Sequence, residues 1–437
     1  MVADLVKLTA WLAREPRVVK GPTIWLLGGE LAGRFGWLEQ PEDVEATANA
    51  VYESLLAAFQ QVDPSVIVEK RAYRFRVCKS WARREEVVAE VVVARLAMIT
   101  DGSRGVIDGL VSDDPEAEIV RRINWVTEHF KIDAAGPAAH LAAQVAERTW
   151  SPLPPEGRWP LRDSEMTATM FEPVSHWHTD ETLQRGGKLA VTDQRRAVLA
   201  EMGTAVFGLG DPERVRNARG LGWADKQPPQ AAVRITLPAL NYLGVHPSLA
   251  VHPAQRLDEE VTTWVCTRTI QTMLSPAEDG GLGMDSDDLE ITTAYVWPQA
   301  SQKLATWATR MREAIKAAGE DESLDPLFKE MYSRYYTWLS SNYAKGTPSF
   351  QPVMSGTIRA GMRARSLRFN AKVYAGTGLR PVASRSDAWI YRVTNKKQLE
   401  ALTDPSGANG KYRVKEVVDH TPSAWARLTG QAARSRR

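Results

Sequence analysis

The stretch Lys188-Leu-Ala-Val-Thr-Asp193-Gln-Arg-Arg-Ala-Val-Leu-Ala-Glu-Met202 sets an aspartate between a strand-like run, KLAVT, and a helix-like run, QRRAVLAEM. Taken alone, an aspartate at such a junction is a helix N-cap, its carboxylate accepting from the first free backbone N–H groups. The alternative reading is chemical: a carboxylate delivered to a strand end is a hard oxygen ligand for a divalent cation. The two readings part only when the rest of the chain is brought in.

Two further patterns follow in order. Lys329-Glu-Met-Tyr-Ser-Arg-Tyr-Tyr336-Thr337 lies in a helical run, Pro326–Ser341, where Lys329 and Tyr336 are seven residues apart and so share a face. Beyond a third helical run, Thr357–Tyr374, residues 379–384 and 388–393 read as the arms of a hairpin whose turn holds Arg385, Ser386 and Asp387. Nucleotidyl transfer needs divalent ions that activate a 3′ hydroxyl and hold a triphosphate. Magnesium commonly takes one or two protein carboxylates, the remaining ligands being phosphates and water, so two aspartates suffice. A helical lysine can neutralise the triphosphate while a tyrosine on the same face packs on the incoming base. The bland alternatives are a turn residue for Asp387, a solvated Lys329 and a core position for Tyr336.

At these residues the chain resembles the protein-primed branch of family-B DNA polymerases, and more closely the divergent polymerase-like proteins, some called telomere-associated, of actinobacterial chromosomes and mobile elements. The family's first motif is an aspartate followed by a sugar-gating tyrosine; Asp193 matches and Val198 stands at the tyrosine position. Its second, Lys-x-x-x-Asn-Ser-x-Tyr-Gly, falls on Lys329, Ser333, Arg334, Tyr336 and Thr337, keeping the lysine and tyrosine. Its third, Asp-Thr-Asp-Ser, falls on Arg385, Ser386, Asp387 and Ala388, keeping the second aspartate. The stretch Gly410–Lys415, with Lys411, Arg413 and Lys415, resembles the basic strand that closes the family's palm. The resemblance covers roughly residues 185–420.

It implies Asp193 and Asp387 as catalytic metal ligands, Mg2+ or Mn2+ as cofactor, and Lys329 and Tyr336 as the nucleotide-binding pair. Its implied partners are DNA, deoxynucleoside triphosphates and a terminal or priming protein, and the implied enzyme is a DNA-directed DNA polymerase serving plasmid, phage or linear replicon ends. The missing tyrosine and the missing first aspartate of the third motif leave a second expectation standing: a catalytically inactive, polymerase-like DNA-binding or recruitment protein.

The expected fold class is mixed α/β (α+β). An N-terminal α+β domain, 1–150, is exonuclease-like (RNase H-like) in the resemblance but lacks its carboxylates: Asp114-Pro-Glu116 reads as a polar loop, and Asp163-Ser-Glu165 follows the proline-rich linker. The linker is 151–160, within the run Trp150–Pro160. The palm's first part with its insertion spans 161–299, helical fingers 300–355, and the palm's second part with a basic tail 356–437. Helices are expected at 1–15, 42–61, 137–148 and 300–318, and strands at 22–27, 66–77 and 289–297; Glu86–Ile99 reads equally as strand or helix.

Charge supports a polyanion partner. Residues 331–437 hold 19 Lys+Arg against 5 Asp+Glu, whereas 1–330 hold 36 against 48. A basic block beside an acidic body is the footprint of phosphate binding, since each neutralised phosphate releases counterions. Arg359, Arg363, Arg365, Arg368 and Lys372 on the third helical run are the expected phosphate-tracking residues, with Arg365, Arg368 and Lys372 on one face. Two cysteines, Cys78 and Cys266, are too few for a disulfide framework, and no signal or membrane-spanning run is seen, so a cytoplasmic protein without membrane partners is expected.

Three further patterns stand outside these motifs. His176-Trp-His178-Thr-Asp180 has alternate spacing suited to a metal but no evident further ligands. Asp285, Asp287, Asp288 and Glu290 precede a strand, and Glu290 with Tyr295 is a second match to the first motif, too close to Lys329 for the inserted branch. Gly208-Leu-Gly210 lacks the remainder of any phosphate-binding fingerprint.

Overall fold

The structure is a computed structural model; the residues it describes are 23–27, 44–61, 63–71, 73–81, 84–99, 103–149, 171–179, 187–319 and 321–430. The expected helix at 1–15, the linker, Asp163-Ser-Glu165 and Asp180 lie outside the described residues. The chain forms two compact units, one of residues 1–145 with 318–331, the other of 146–317 with 332–437.

In the first unit β1 (Thr23–Leu26), α1 (Val44–Gln60), β2 (Val66–Arg71), β3 (Arg74–Trp81), β4 (Arg84–Val93), α2 (Ala94–Ile99), α3 (Pro115–Phe130) and most of α4 (Ala138–Thr149) follow in order. The sheet runs β1-β4-β3-β2, with β1 parallel to β4 and the other pairs antiparallel. Helix α1 buries Ala48, Val51, Leu55, Ala58 and Phe59, the three- and four-residue spacing that lays one stripe of a helix on a sheet. The run Glu86–Ile99 resolves as both readings, strand to Val93 and helix thereafter. Asp114 is the cap of α3, its carboxylate accepting from the Ala117 N–H at 3.1 Å with Pro115 opening the helix, so Asp114-Pro-Glu116 is spent on structure. The buried Arg122 donates to the carbonyls of Val106, Asp108 and Gly109 and pairs with Glu118 at 2.5 Å, fixing the loop before α3.

The second unit contains β5 (His176–His178), β6 (Lys188–Gln194), α5 (Ala197–Met202), β7 (Phe207–Leu209), β8 (Glu213–Arg216), β9 (Ala231–Leu237), β10 (Val261–Cys266), α6 (Thr267–Leu274), β11 (Glu290–Val296), β12 (Gln299–Ser301) and α7 (Ala305–Ala318). Helix α8 (Asp325–Trp338) is divided between the units after Met331. Then come α9 (Pro352–Thr377), β13 (Pro381–Arg385), β14 (Ala388–Val393), α10 (Lys396–Glu400), β15 (Tyr412–Asp419) and α11 (Pro422–Thr429). The principal sheet is ordered β15-β6-β14-β13-β5 and is antiparallel throughout. Because strand side chains alternate, Leu189 and Val191 of β6 pack on one face with Ile390 and Leu428, while Ala190 packs on the other with Val373, Trp389, Tyr391 and Tyr412. A second antiparallel sheet, β10-β9-β11-β8, carries its own core of Val233, Ile235, Val265, Ile270 and Ile291.

Helix α9 joins these layers and is buried on nearly every side. Its small residues permit that approach: a Cβ on Gly356 would meet the Phe171 ring at 2.4 Å, and one on Gly361 the Glu201 carboxylate at 1.9 Å. Arg359 and Arg363, expected on a phosphate-tracking surface, are therefore inside. Arg359 donates to the Phe171 carbonyl at 2.6 Å; Arg363 donates to the carbonyls of Val251 and Pro173 and pairs with the fully buried Glu172. Burial alone would raise the Glu172 pKa, but Arg363, His252, the Cys266 N–H and the Thr269 hydroxyl together hold it below its ordinary value.

His252 stands 3.6 Å from Glu172, and burial lowers its pKa from 6.5 to about 4 despite that carboxylate. Its neutral form is the folded form, whereas the unfolded chain takes up a proton below the ordinary value. Stability from His252 is thus full above pH 6.5 and lost as pH falls toward 4, by roughly 3 kcal/mol at most. Unfolding free energy measured by urea titration is expected to fall across that window, and His252→Gln to flatten the fall; an unchanged slope would show that His252 does not set it.

Candidate active site

Asp193 is not a helix cap. Strand β6 continues through it to Gln194, pinned by the Arg195 N–H donating to the Lys411 carbonyl at 2.9 Å, and the cap position of α5 is Arg196, in the left-handed region at φ 48°. Register sets its neighbours. Thr192 of β6 pairs with Trp389 of β14, and Asp193 itself pairs with Arg413 of β15. Arg385 pairs with Ala388, so Ser386 and Asp387 form the two-residue turn of the β13–β14 hairpin. Asp193 and Asp387 consequently stand at the same end of adjacent strands, a separation of about 5 Å between backbones. Ser386 takes φ 60°, unusual for a residue with a side chain, and its N–H donates to the Ser175 carbonyl at 2.8 Å, which holds the turn in place.

The Asp387 carboxyl lies in the field of Asp193. The Asp387 pKa is raised, first by burial and then by the Asp193 charge; its own backbone N–H, Lys415 and the Ser386 hydroxyl pull the other way. Arg413 donates to Asp193 at 3.0 Å. Behind the pair, Tyr412 receives a hydrogen bond from Gln194 at 2.9 Å, donates to Ser366 at 2.6 Å and stacks on Phe369 with ring centres 3.9 Å apart.

Tyr336 of α8 belongs to the same neighbourhood. Burial raises its pKa, Arg359 opposes and Asp387 adds to the rise, so its hydroxyl lies within electrostatic range of both. Lys329, two turns earlier on the helix, is exposed and belongs to the other unit. Of the remaining cations, Lys411, Arg413 and Lys415 are exposed along β15, with Lys411 3.5 Å from Asp404. On α9, Arg365 pairs with Glu201 at 2.6 Å and donates to Thr204, Arg368 stands 3.7 Å from Asp279, and Lys372 is exposed. Arg365 is thus committed to an internal partner, while Arg368 and Lys372 face solvent.

The donor set of Asp193 and Asp387 suits a hard cation, because two carboxylates with one charge disfavoured by the other leave negative potential that a divalent ion relieves. Among the described residues no group of three or more His, Cys, Asp or Glu side chains is arranged to hold a metal. The His176–His178 pair lies on the edge strand β5, and Glu290 and Tyr295 lie on β11 of the second sheet, outside the principal sheet that carries Asp193. Sequence reasoning missed the Glu172–Arg363–His252 cluster, whose members are dispersed along the chain, and Ser175, which has no local signal.

The fold these elements make is a mixed α/β architecture with a polymerase-like arrangement. In particular it is similar to Phi29 DNA polymerase in complex with primer-template DNA and incoming nucleotide, with a TM-score of 0.53 at 13% identity over 81% of this chain and 70% of that one. The same polymerase with primer-template DNA after translocation gives a TM-score of 0.52 at 13% identity, covering 81% and 69%. Its orthorhombic crystal form gives 0.50 at 14%, covering 81% and 70%. No protein-family model matches the chain, and no curated protein sequence does. No helix among the described residues is long and apolar enough to cross a membrane.

Proposed function

We propose that this chain binds DNA through a polymerase-like palm and that Asp193 and Asp387 hold Mg2+ or Mn2+ there for nucleotidyl transfer from deoxynucleoside triphosphates. The observation that carries the reading is the convergence of three separate sequence patterns in one unit: strand register sets Asp193 and Asp387 at the same end of β6 and the β13–β14 hairpin, and the Asp387 charge helps to raise the pKa of Tyr336. A bound divalent ion would lower the pKa of a 3′ hydroxyl and brace the triphosphate. The chain's own part is to fix the two carboxylates at adjacent strand ends and to present the Tyr336 ring for packing on a base. A priming protein and a role at replicon ends, as in the actinobacterial polymerase-like proteins, belong to the same proposal.

A second reading rests on specific residues. Arg413 already neutralises Asp193, and Arg385 stands where the polymerase motif has an aspartate, so the palm can serve as a silent DNA-holding or recruitment surface. Primer extension with primed template, triphosphates and Mg2+ or Mn2+, repeated with any cognate terminal protein, separates the two: incorporation supports the first, and DNA binding with no incorporation supports the second.

Both readings predict phosphate contacts along β15. Lys411→Ala with Lys415→Ala is expected to weaken DNA binding and to make the plot of log affinity against log salt shallower by about two units, near 0.9 per contact. Arg368→Ala with Lys372→Ala tests α9 in the same way. An unchanged slope in a filter-binding series would return the strand or helix concerned to an ordinary solvated surface.

A further inference from the structure

On the β5 side of the hairpin, the second unit holds a cleft of about 770 Å³ between the edge strand β5 and the loop that follows β9. Its floor includes Trp177, Ser384 and Trp389, three residues that register places side by side across β5, β13 and β14. Its opposite wall includes His246, Arg256 and Glu259. We infer that this cleft is a binding site for an unpaired nucleobase, separate from the Asp193–Asp387 site and independent of whether that site is catalytic.

The shape and the chemistry are those of base recognition. The cleft's volume falls within the usual range for small-molecule sites. The Trp177 indole offers a flat apolar surface, and the His246 ring stands edge-on to it with centres 6.1 Å apart. Stacking on an indole favours any base, since every base has a π face. A base edge carries both donors and acceptors; Arg256 supplies donors, and Glu259 supplies acceptors. The Asp258 carboxylate accepts from the Asn241 amide, so it is partly satisfied within the wall.

The wall is pre-formed. The Leu240 N–H donates to the Arg256 carbonyl at 3.0 Å, the Asn241 N–H to the Leu257 carbonyl at 2.9 Å, and the Gln255 side chain to the Pro238 carbonyl at 3.1 Å. His246 shares a hydrogen bond with the Ser248 hydroxyl at 2.8 Å, which fixes its ring. A site with so little freedom to lose on binding costs little to occupy. Ser384 is three residues from Asp387 along the hairpin, a path of roughly 10 Å, so a strand with one base in the cleft runs close to the candidate active site.

The source of the base is either a free nucleotide or a single strand, and one experiment addresses both. Irradiating the full chain with an oligodeoxynucleotide bearing 5-iodouracil should place a crosslink on the peptide containing Trp177 or His246, identified by mass spectrometry. Arg256→Glu, an exposed change that leaves the wall's backbone bonds in place, should lower the crosslink yield and the oligonucleotide affinity several-fold, and Trp177→Ala should abolish the Trp177 adduct. Asp387→Asn should leave the crosslink unchanged, which keeps this result separate from failure of the proposed transfer chemistry. Competition by millimolar thymidine monophosphate would assign a free-nucleotide site, and competition only by unlabelled oligonucleotide a strand site. Crosslinks confined to other peptides, with Arg256→Glu binding as wild type, would overturn the inference.

Discussion

Asp387→Asn is expected to reduce nucleotide incorporation by about 10³-fold or more while DNA affinity stays within a factor of about two, because the amide keeps the size of the side chain but not the charge that a divalent ion requires. The same change should stabilise the protein in the absence of metal. Burial and the Asp193 charge raise the Asp387 carboxyl above its ordinary value, so the folded state binds that proton more tightly than the unfolded chain. The contribution of this group to stability is therefore greatest in acid and is lost as pH rises from the ordinary 3.8 through the raised value. An asparagine has no such loss. A melting temperature at pH 7 without metal that is higher in the variant, together with loss of the stabilisation that Mg2+ gives the wild type, is the expected pair of results. A variant that melts lower and incorporates nucleotide normally would remove Asp387 from the site.

The second large effect concerns the fold rather than the chemistry. Arg363→Ala leaves Glu172 buried without its principal counter-charge and leaves the Val251 and Pro173 carbonyls without their donor. Breaking one partner of a buried, hydrogen-bonded pair costs about 3–5 kcal/mol, enough to consume much of a domain's stability. Urea unfolding should show that loss, and Glu172→Gln combined with Arg363→Met should recover part of it, since the double change removes both charges. A loss below about 1 kcal/mol for Arg363→Ala would show that the network contributes little.

The strand carrying Asp193 and the hairpin carrying Asp387 are legible because each is a local pattern: a short apolar run ending in a polar residue, and two strand-like runs around a polar pair in a tight turn. Their meeting was legible only through motif order, and the register of β6 against β14 supplies the physical reason for it. Helix α9 was misread for an equally physical reason. Over residues 352–364 the helix is buried all round and has no apolar stripe, so spacing does not tell inward arginines from outward ones, and Arg359 and Arg363 read as surface residues although carbonyls of Phe171, Pro173 and Val251 await them inside. The small residues around those arginines, Ser355, Gly356, Gly361 and Ser366, are the available signal, since small residues at helical spacing mark close approach. The second sheet is not legible in the sequence because its strands are separated by turn-rich segments, and its pairings, such as Val233 with Val265 and Ala294, join residues remote in sequence.

Arg413 is where the competing accounts of the site meet. Its guanidinium occupies one oxygen of Asp193, so any cation bound by the two aspartates must share or displace it. Titration of Mn2+ into the full chain, followed by electron paramagnetic resonance of the free ion, decides whether Asp193 and Asp387 share a cation. Saturable binding in the wild type, lost in both Asp193→Asn and Asp387→Asn and tightened in Arg413→Ala, is the predicted result; binding of equal strength in the wild type and both aspartate variants, or no binding in any of them, would contradict it.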